Sequence, residues 1–374
     1  MRKAFWVPLL LLAVSVPAAL LIYQPEPPTE VATVPPVNPN SAPAQPRVVA
    51  LAVSLGCPTD KDTFACLDEL AEDVYEADGM DALVATISSW QAEVKPDGLP
   101  CHGLMHRMGK KVAESVSLEA VTAESRKTAG ICANGFFHGA IEGVALSLTK
   151  DKLPPYMQEF CQSIPELGDD CAHSAGHALA IRNAEDVHQA LQGCSSFSEP
   201  ESVLCSSGVF MTFGRGLPGF EDGNEEPWIT YTPQTARTVC FDVEDRYAEH
   251  CWFMLWMAYT TTDALGGVTE YQKVCTQLDA QPTSKAFENC YRGLGMLYDN
   301  RGAVSTKEAA TKCPSSKDQR YWCVFSLGWS VMYDHVITFN TKDGYETACS
   351  TLEEIDRPAC EAGEAFVQMD GGLL

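Results

Sequence analysis

Sixteen cysteines in 374 residues are the feature that most restricts how this chain can fold. Seven close pairs account for fourteen of them: Cys57/Cys66, Cys161/Cys171, Cys194/Cys205, Cys240/Cys251, Cys275/Cys290, Cys313/Cys323 and Cys349/Cys360. The pairing leaves Cys101 and Cys132 to bond to each other. An even number of regularly spaced cysteines indicates a disulfide framework in an oxidising compartment. Metal binding by thiolates is the alternative, and the complete pairing of the cysteines argues against it.

Each close pair predicts a helical hairpin whose connecting loop is closed by a disulfide. The first cysteine ends an amphipathic stretch, as in Tyr156–Cys161, and the second opens an apolar stretch, as in Cys251–Tyr259. Pro, Asp, Gly and Ser, which favour turns, lie between them. Second cysteines recur at intervals of 31 residues (Cys101 to Cys132) to 46 residues (Cys205 to Cys251), the range of helix-pair repeats. The predicted fold class is all-α, with disulfide-clipped helical-hairpin repeats that form a solenoid.

Glycines recur three or five residues after the repeat cysteines, at positions 135, 176, 208, 293, 295, 328 and 363. Because glycine in a helix interior costs about 1 kcal/mol, this recurrence predicts a close approach between stacked helices. In repeat length and in the placement of small residues, residues 57–370 resemble Sel1-like and tetratricopeptide repeats. The tryptophan and proline signature of the tetratricopeptide unit is absent, so its superhelical geometry is not carried over.

The N-terminus predicts a membrane anchor followed by a spacer. Two basic residues precede an apolar run from Phe5 to Tyr23, which is long enough to cross a bilayer. We expect residues 1–23 to be an uncleaved signal anchor; cleavage near Ala18 and Ala19 is the alternative. Residues 24–50 are expected to be a Pro-rich linker, and 51–374 the helical-repeat domain. The chain is then a single-pass inner (cytoplasmic) membrane protein whose C-terminal domain is periplasmic or otherwise extracytoplasmic.

The charge balance limits the classes of partner. Asp and Glu number 50 against 26 Lys and Arg, which gives a formal net charge of −24. No basic stripe relieves this excess, so binding to nucleic acid or to an anionic membrane surface is disfavoured.

Three ligand pairs predict a metal site within about residues 95–185. They use five of the eight histidines and one glutamate, in the pairs His102/His106, His138/Glu142 and His173/His177. Spacing of four residues puts both side chains of a pair on one helical face. Since each pair occupies the same region of its repeat, stacking should bring the six side chains onto one or two transition-metal ions, Zn, Fe or Cu. The alternatives are histidines that cap helices or satisfy buried carbonyls, and acid–base or pH-sensing roles without a metal.

The three segments together form a motif over residues 101–177: Cys-His-x-x-x-His, Gly-x-x-His-Gly-x-x-Glu and Cys-x-His-x-x-Gly-His. This motif resembles a pattern of uncharacterised secreted microbial proteins. The resemblance implies that the constellation is one unit, and it implies no particular reaction.

The repeats from about residue 190 to 374 have no histidine at the ligand positions. Six residues after the repeat cysteine, His138 and His177 give way to Met211, Met257 and Met296. Methionine at such a position is typical of core packing, and a copper relay is the alternative. We expect these repeats to stabilise or to recruit a partner. The remaining histidines, His188, His250 and His335, are expected to be surface or core residues.

The sequence therefore predicts a membrane-anchored extracytoplasmic metal-binding protein, with a metalloenzyme that uses one or two first-row transition-metal ions as the favoured function. Six ligands shared by two ions leave open coordination positions, as catalytic sites require, and Glu142 is then a ligand or the catalytic general base. A metal-dependent hydrolase and an oxidoreductase both fit the ligand set. The alternative is a helical-repeat scaffold that binds a protein of an envelope complex, with any metal being structural.

We predict eight intrachain disulfides: the seven close pairs and the longer link Cys101–Cys132. Each short bridge should contribute roughly 2–3 kcal/mol by restricting the unfolded chain. Mass mapping of non-reduced peptides from protein made in an oxidising compartment checks the connectivity. Free thiols at two or more of the close pairs would contradict the clipped-hairpin arrangement.

Overall fold

A computed structural model describes residues 46–94, 101–183, 186–215, 233–260, 264–300, 305–339 and 347–370. Within these ranges the chain is helical and contains no β-strand, so the predicted all-α class is confirmed. The expected anchor, residues 1–23, lies outside the described residues. None of the described helices is both long and apolar enough to cross a membrane.

The described residues form eighteen α-helices: α1 Pro46–Ser54, α2 Thr63–Asp78, α3 Met80–Val94, α4 Cys101–Ser115, α5 Leu118–Thr128, α6 Gly135–Ser147, α7 Leu153–Ser163, α8 Asp169–Arg182, α9 Val187–Cys194, α10 Glu201–Arg215, α11 Pro233–Asp242, α12 Asp245–Met254, α13 Trp256–Thr260, α14 Ala264–Thr276, α15 Lys285–Asn300, α16 Thr306–Lys312, α17 Lys317–Phe339 and α18 Arg357–Asp370. Short 3-10 helices cover Ile131–Asn134, Pro165–Leu167 and Ala348–Thr351. Residues 46–50 of the expected linker belong to helix α1, which buries Val48 and Leu51. Residues 24–45 of that linker lie outside the described residues.

All eight predicted disulfides form, with the predicted connectivity. The close pairs span 9 to 15 residues, whereas Cys101–Cys132 spans 31. As predicted, the first cysteine lies at or near the end of one helix; Cys194, for example, is the last residue of α9. Close pairs such as Cys194–Cys205 therefore clip a short helix onto the longer helix that follows it.

The inner helices begin earlier than the second cysteine in the C-terminal repeats, which corrects the expected start. Helix α12 begins at Asp245, six residues before Cys251, and α17 begins at Lys317. Acidic side chains lie in the first turn of both helices, Asp245 in α12 and Asp318 in α17. The helix dipole favours carboxylates near a helix N-terminus. This local electrostatic stabilisation extends each helix into the segment that was expected to be a turn.

The inner helices α4, α6, α8, α10, α12, α15, α17 and α18 pack in chain order, each against the next. Helix α17 also contacts α4 and the 3-10 helix Ile131–Asn134. In an open solenoid each repeat contacts only its neighbours. The contact between α17 and α4 joins distant repeats, so the array curls back on itself and is not a simple open solenoid.

Glycines set the distance between the inner helices, as their recurrence predicts. A Cβ atom built on Gly109 of α4 would lie 1.9 Å from the Phe136 carbonyl oxygen of α6. The corresponding distance is 2.0 Å from Gly176 of α8 to the Cys205 carbonyl oxygen of α10. No side chain larger than hydrogen fits at such separations, so these helices meet backbone to backbone.

We predict that Gly109→Ala lowers the free energy of unfolding by about 2–3 kcal/mol, because the added methyl group must push α4 and α6 apart. The matched control is Gly103→Ala in the same helix. A Cβ there would meet only the Arg107 Nη1 atom, at 3.5 Å. That change should be neutral or stabilise by about 0.5–1 kcal/mol through helix propensity. Urea denaturation of both variants checks the prediction, and equal effects would contradict the backbone contact.

Candidate metal centre

Three neighbouring inner helices carry the predicted ligands. Helix α4 carries His102 and His106, α6 carries His138 and Glu142, and α8 carries His173 and His177. Glycines of α6 place the first two pairs in register. A Cβ built on Gly135 would lie 2.3 Å from the His102 carbonyl oxygen, and one built on Gly139 would lie 1.7 Å from that of His106. The one-turn spacing of the glycines thus matches the one-turn spacing of the histidines.

The structure brings the six side chains into one cluster, with His138 at its centre. The centroid of the His138 ring is 5.2 Å from that of His102, 5.8 Å from that of His173 and 6.0 Å from that of His177. The rings of His173 and His177 are 4.7 Å apart, and those of His102 and His106 are 6.2 Å apart. The three ligand pairs therefore face each other across α4, α6 and α8.

Glu142 joins the cluster through His106. Its Oε1 atom lies 3.3 Å from the His106 Nε2 atom, and both side chains are largely buried. His138, His173, His177 and Glu142 are each less than 9% exposed, whereas His102 and His106 are only partly buried. The α4 side of the cluster is consequently its more open side.

The cluster is not arranged as a closed coordination shell. Among the described side chains, one group of three potential ligands is close enough to share an ion: Cys349, Cys360 and Glu364, within 4.8 Å of one another. The two cysteines of that group are bonded to each other, which removes them as ligands. The donor atoms of the six predicted ligands do not form such a group. The rings lie together in one cluster, but most of the donor atoms do not converge on one centre as expected.

Hydroxyl groups of α10 orient two of the histidines, and the sequence analysis did not anticipate them. His173 Nδ1 lies 2.7 Å from Ser207 Oγ, and His177 Nδ1 lies 2.7 Å from Thr212 Oγ1. Ser207 Oγ already donates to the Leu204 carbonyl, at 2.6 Å, so it accepts from His173. The His173 proton is therefore on Nδ1, and its Nε2 atom carries a lone pair.

The imidazoles of His173 and His177 then complete a chain of hydrogen bonds. The Nε2 atoms of His173 and His177 are 3.0 Å apart. With a lone pair on His173 Nε2, the His177 Nε2 atom donates, and Thr212 donates to His177 Nδ1. A signal for Ser207 does exist in the sequence: it follows Cys205 by two residues, as His173 follows Cys171.

A strained turn orients His102. Its Nδ1 atom donates to the Cys132 carbonyl oxygen at 3.0 Å, since a carbonyl can only accept. Cys132 and Asn134 adopt positive φ angles of 51° and 58°, which are rare for residues other than glycine. The link Cys101–Cys132 holds this turn against α4. His102 therefore also presents an Nε2 lone pair.

His138 differs from its neighbours in having an unsatisfied ring nitrogen. Its Nε2 atom is buried and has no hydrogen-bond partner among the described residues. Burial, with the four surrounding imidazoles adding to it, holds the pKa of His138 well below its ordinary value. The ring is thus neutral at neutral pH, which is the form that binds metal ions.

Comparison of the chain with protein-family models, with curated proteins and with solved structures gives no match. The likeness to Sel1-like and tetratricopeptide repeats, and to the secreted microbial pattern, stays a prediction from the sequence motifs.

His188 and His250 have partners of their own, and the methionines at the corresponding repeat position pack in or against the hydrophobic core. His188 is exposed and lies 3.4 Å from the Asp242 carboxylate. His250 is buried, where its Nδ1 atom lies 3.0 Å from Ser206 Oγ. Met257 and Met296 are buried in the hydrophobic core, as packing residues are expected to be. The side chain of His335 lies outside the described residues.

We predict that His250 makes the protein less stable in mild acid. Burial, aided by the charge of Arg292, lowers the pKa of His250 to about 4. Since the unfolded residue titrates near 6.5, the stability is present above that pH and is lost as the pH falls towards 4. Between pH 7.5 and 5.0 the wild type should lose about 2 kcal/mol more than His250→Asn, whose amide can still donate to Ser206. Denaturant titrations at both pH values measure the difference, and parallel losses would show that His250 is not the responsible group.

Proposed function

We propose that this chain is an extracytoplasmic transition-metal-binding protein whose primary ligands are His138, His173 and His177. His102, His106 and Glu142 form an adjoining set of ligands. Imidazole-rich sites of this kind suit Zn, Cu and Fe.

The observation that carries the proposal is the unpartnered Nε2 atom of His138. An unsatisfied buried polar atom costs about 1–3 kcal/mol, and proteins seldom leave one in place. This atom lies within a cluster of four further imidazoles, two of which present Nε2 lone pairs. A cation bound at His138 would satisfy it, and hydrogen-bond acceptors already orient His102 and His173 as metal-ligating histidines are normally oriented.

The His173/His177 pair supplies the nearest coordinating atoms. The Nε2 atoms of His173 and His177 are 3.0 Å apart, close enough that one ion could bind both. Binding requires the His177 proton to move from Nε2 to Nδ1, where Thr212 Oγ1 can accept it. This is a change of tautomer within an existing hydrogen bond. It requires no carboxylate and no large movement of α8.

Glu142 is the candidate general base in the adjoining set. It is buried beside His106 on the more open side of the cluster, where a substrate or water would arrive. Both a metal-dependent hydrolase and an oxidoreductase remain compatible with these residues. The catalytic part of the proposal rests on Glu142 alone and is separate from metal binding.

The proposed location follows from the disulfides. Eight bridges in one chain are typical of an oxidising compartment. With residues 1–23 as anchor, the domain would lie on the periplasmic side of the inner membrane. A scaffold that binds an envelope protein is the competing function, and it needs no metal at His138.

We predict that the wild-type protein, stripped with chelator and then reconstituted, retains at least one Zn, Cu or Fe ion per chain. His138→Ala and His177→Ala should lose this ion, and Ser207→Ala should weaken binding about 10–100-fold by releasing the His173 ring. Elemental analysis and metal titration provide the measurements. Nitrogen NMR of the His177 ring should show the change of tautomer when metal is added.

The matched control is His188→Ala, which removes an exposed imidazole outside the cluster and should leave the metal content unchanged. Thermal unfolding of the metal-free variants separates loss of ligands from loss of fold. A wild type that binds no stoichiometric metal, or a folded His138→Ala variant that binds as well, would leave the scaffold as the better proposal.

A further inference from the structure

A second unusual cluster lies in the C-terminal inner helices, around Arg292 of α15. The side chain is only 6% exposed. Its guanidinium carbon lies 5.1 Å from the ring centroid of Phe253 on α12, 5.0 Å from that of Phe325 on α17 and 5.5 Å from that of Phe366 on α18. Three helices thus each contribute one phenyl ring to a cage around a single cation. These four side chains are referred to below as the Arg292 cage.

One edge of the guanidinium is unpaired. Nη1 donates to the Asn289 side chain at 3.0 Å, but Nε and Nη2 have no hydrogen-bond partner among the described residues. The carboxylates of Glu249 and Glu288 act on Arg292 only through space. Nε and Nη2 form the edge with which arginine binds both oxygens of a carboxylate.

The same edge is occupied elsewhere in this protein. Arg320 donates through Nε and Nη2 to the two oxygens of Asp356, both at 2.7 Å, and Asp356 is buried. Arg320 therefore shows how this fold pairs a partly buried guanidinium. Within the described residues, Arg292 differs from Arg320 in that it has no carboxylate at its Nε/Nη2 edge.

Cation–π contacts offset only part of the cost of burying this charge. They contribute about 0.5–2 kcal/mol, whereas a buried cation that lacks its anion costs several. Burial lowers the pKa of Arg292 to about 10, so the group stays charged at neutral pH. A further unpartnered donor, Nε1 of Trp329, belongs to a ring 5.7 Å from that of Phe253. Both groups, the Arg292 edge and Trp329 Nε1, are N–H donors, which call for an acceptor.

We propose that the Arg292 cage is a binding site for a carboxylate attached to an aromatic or apolar group. The carboxylate would pair with Nε and Nη2 of Arg292, and the apolar group would pack against the phenyl rings. Phe366 of α18 is the partly buried wall of the cage, and it would have to move to admit the ligand. This site is independent of the histidine cluster. A free organic acid and the C-terminus of a peptide present the same chemistry.

Benzoate is the probe for the free acid, and a dipeptide ending in phenylalanine is the probe for a chain terminus. Titration calorimetry and thermal unfolding of the full chain should show saturable binding of one or both. Benzamide and the amidated dipeptide, which lack the negative charge, should bind at least about tenfold more weakly. Saturation by benzoate alone, or by the dipeptide alone, identifies the source of the carboxylate.

Arg292→Lys keeps the charge but removes the two-donor edge, so it should weaken binding about tenfold or more. Arg320→Lys is the matched control, because its guanidinium is already paired with Asp356, and it should leave the affinity unchanged. No saturable binding of either acid to the wild type overturns the proposal, whether or not the variants fold. Equal binding of the neutral amides, or unchanged affinity in folded Arg292→Lys, overturns it as well.

Discussion

Backbone-to-backbone contact between the inner helices is the interaction on which the rest of this structure depends. Glycines replace side chains where α4 meets α6, where α8 meets α10 and where α17 meets α18. At these separations each turn of one helix packs directly against a turn of the next. Side chains on either side of this contact are consequently close to each other. The position of a residue in its repeat determines which side chains it contacts. The disulfides serve this contact by fastening the short outer helices, such as the seven-residue α16, which would be unstable alone.

One repeat position shows how a single geometry supports different chemistry. We compare the residues that lie two places after the second cysteine of a close pair. They are His173 in α8, Ser207 in α10, Phe253 in α12, Arg292 in α15 and Phe325 in α17. His173 contacts Ser207, and Arg292 contacts both Phe253 and Phe325. Part of the histidine cluster and most of the Arg292 cage therefore occupy the same repeat position. At this repeat position the contacts of His173 with Ser207, and of Arg292 with the two phenyl rings, join neighbouring repeats.

Burial gives the two clusters their character. In water an imidazole or a guanidinium is satisfied by solvent, and its neighbours matter little. In the core, the His138 Nε2 atom and the Arg292 Nε/Nη2 edge lose that solvent and gain no protein partner within the described residues. Such atoms are exceptions in folded proteins, and binding sites are where exceptions are expected. One cluster lacks a cation and the other lacks an anion, so the two differ in the ligand they call for.

The sequence by itself determined the helical class, the disulfide pairing, the close approach at glycine and the six side chains that share a cluster. These follow from local periodicity and from spacing that repeats along the chain, such as His102/His106 on one face of one helix. Only the tertiary structure decided that α17 returns to α4, that hydroxyls of α10 orient His173 and His177, and that three phenyl rings enclose Arg292. Those contacts join residues 33 or more positions apart. They depend on how the helices pack against each other, and the spacing of residues along the chain does not determine that packing.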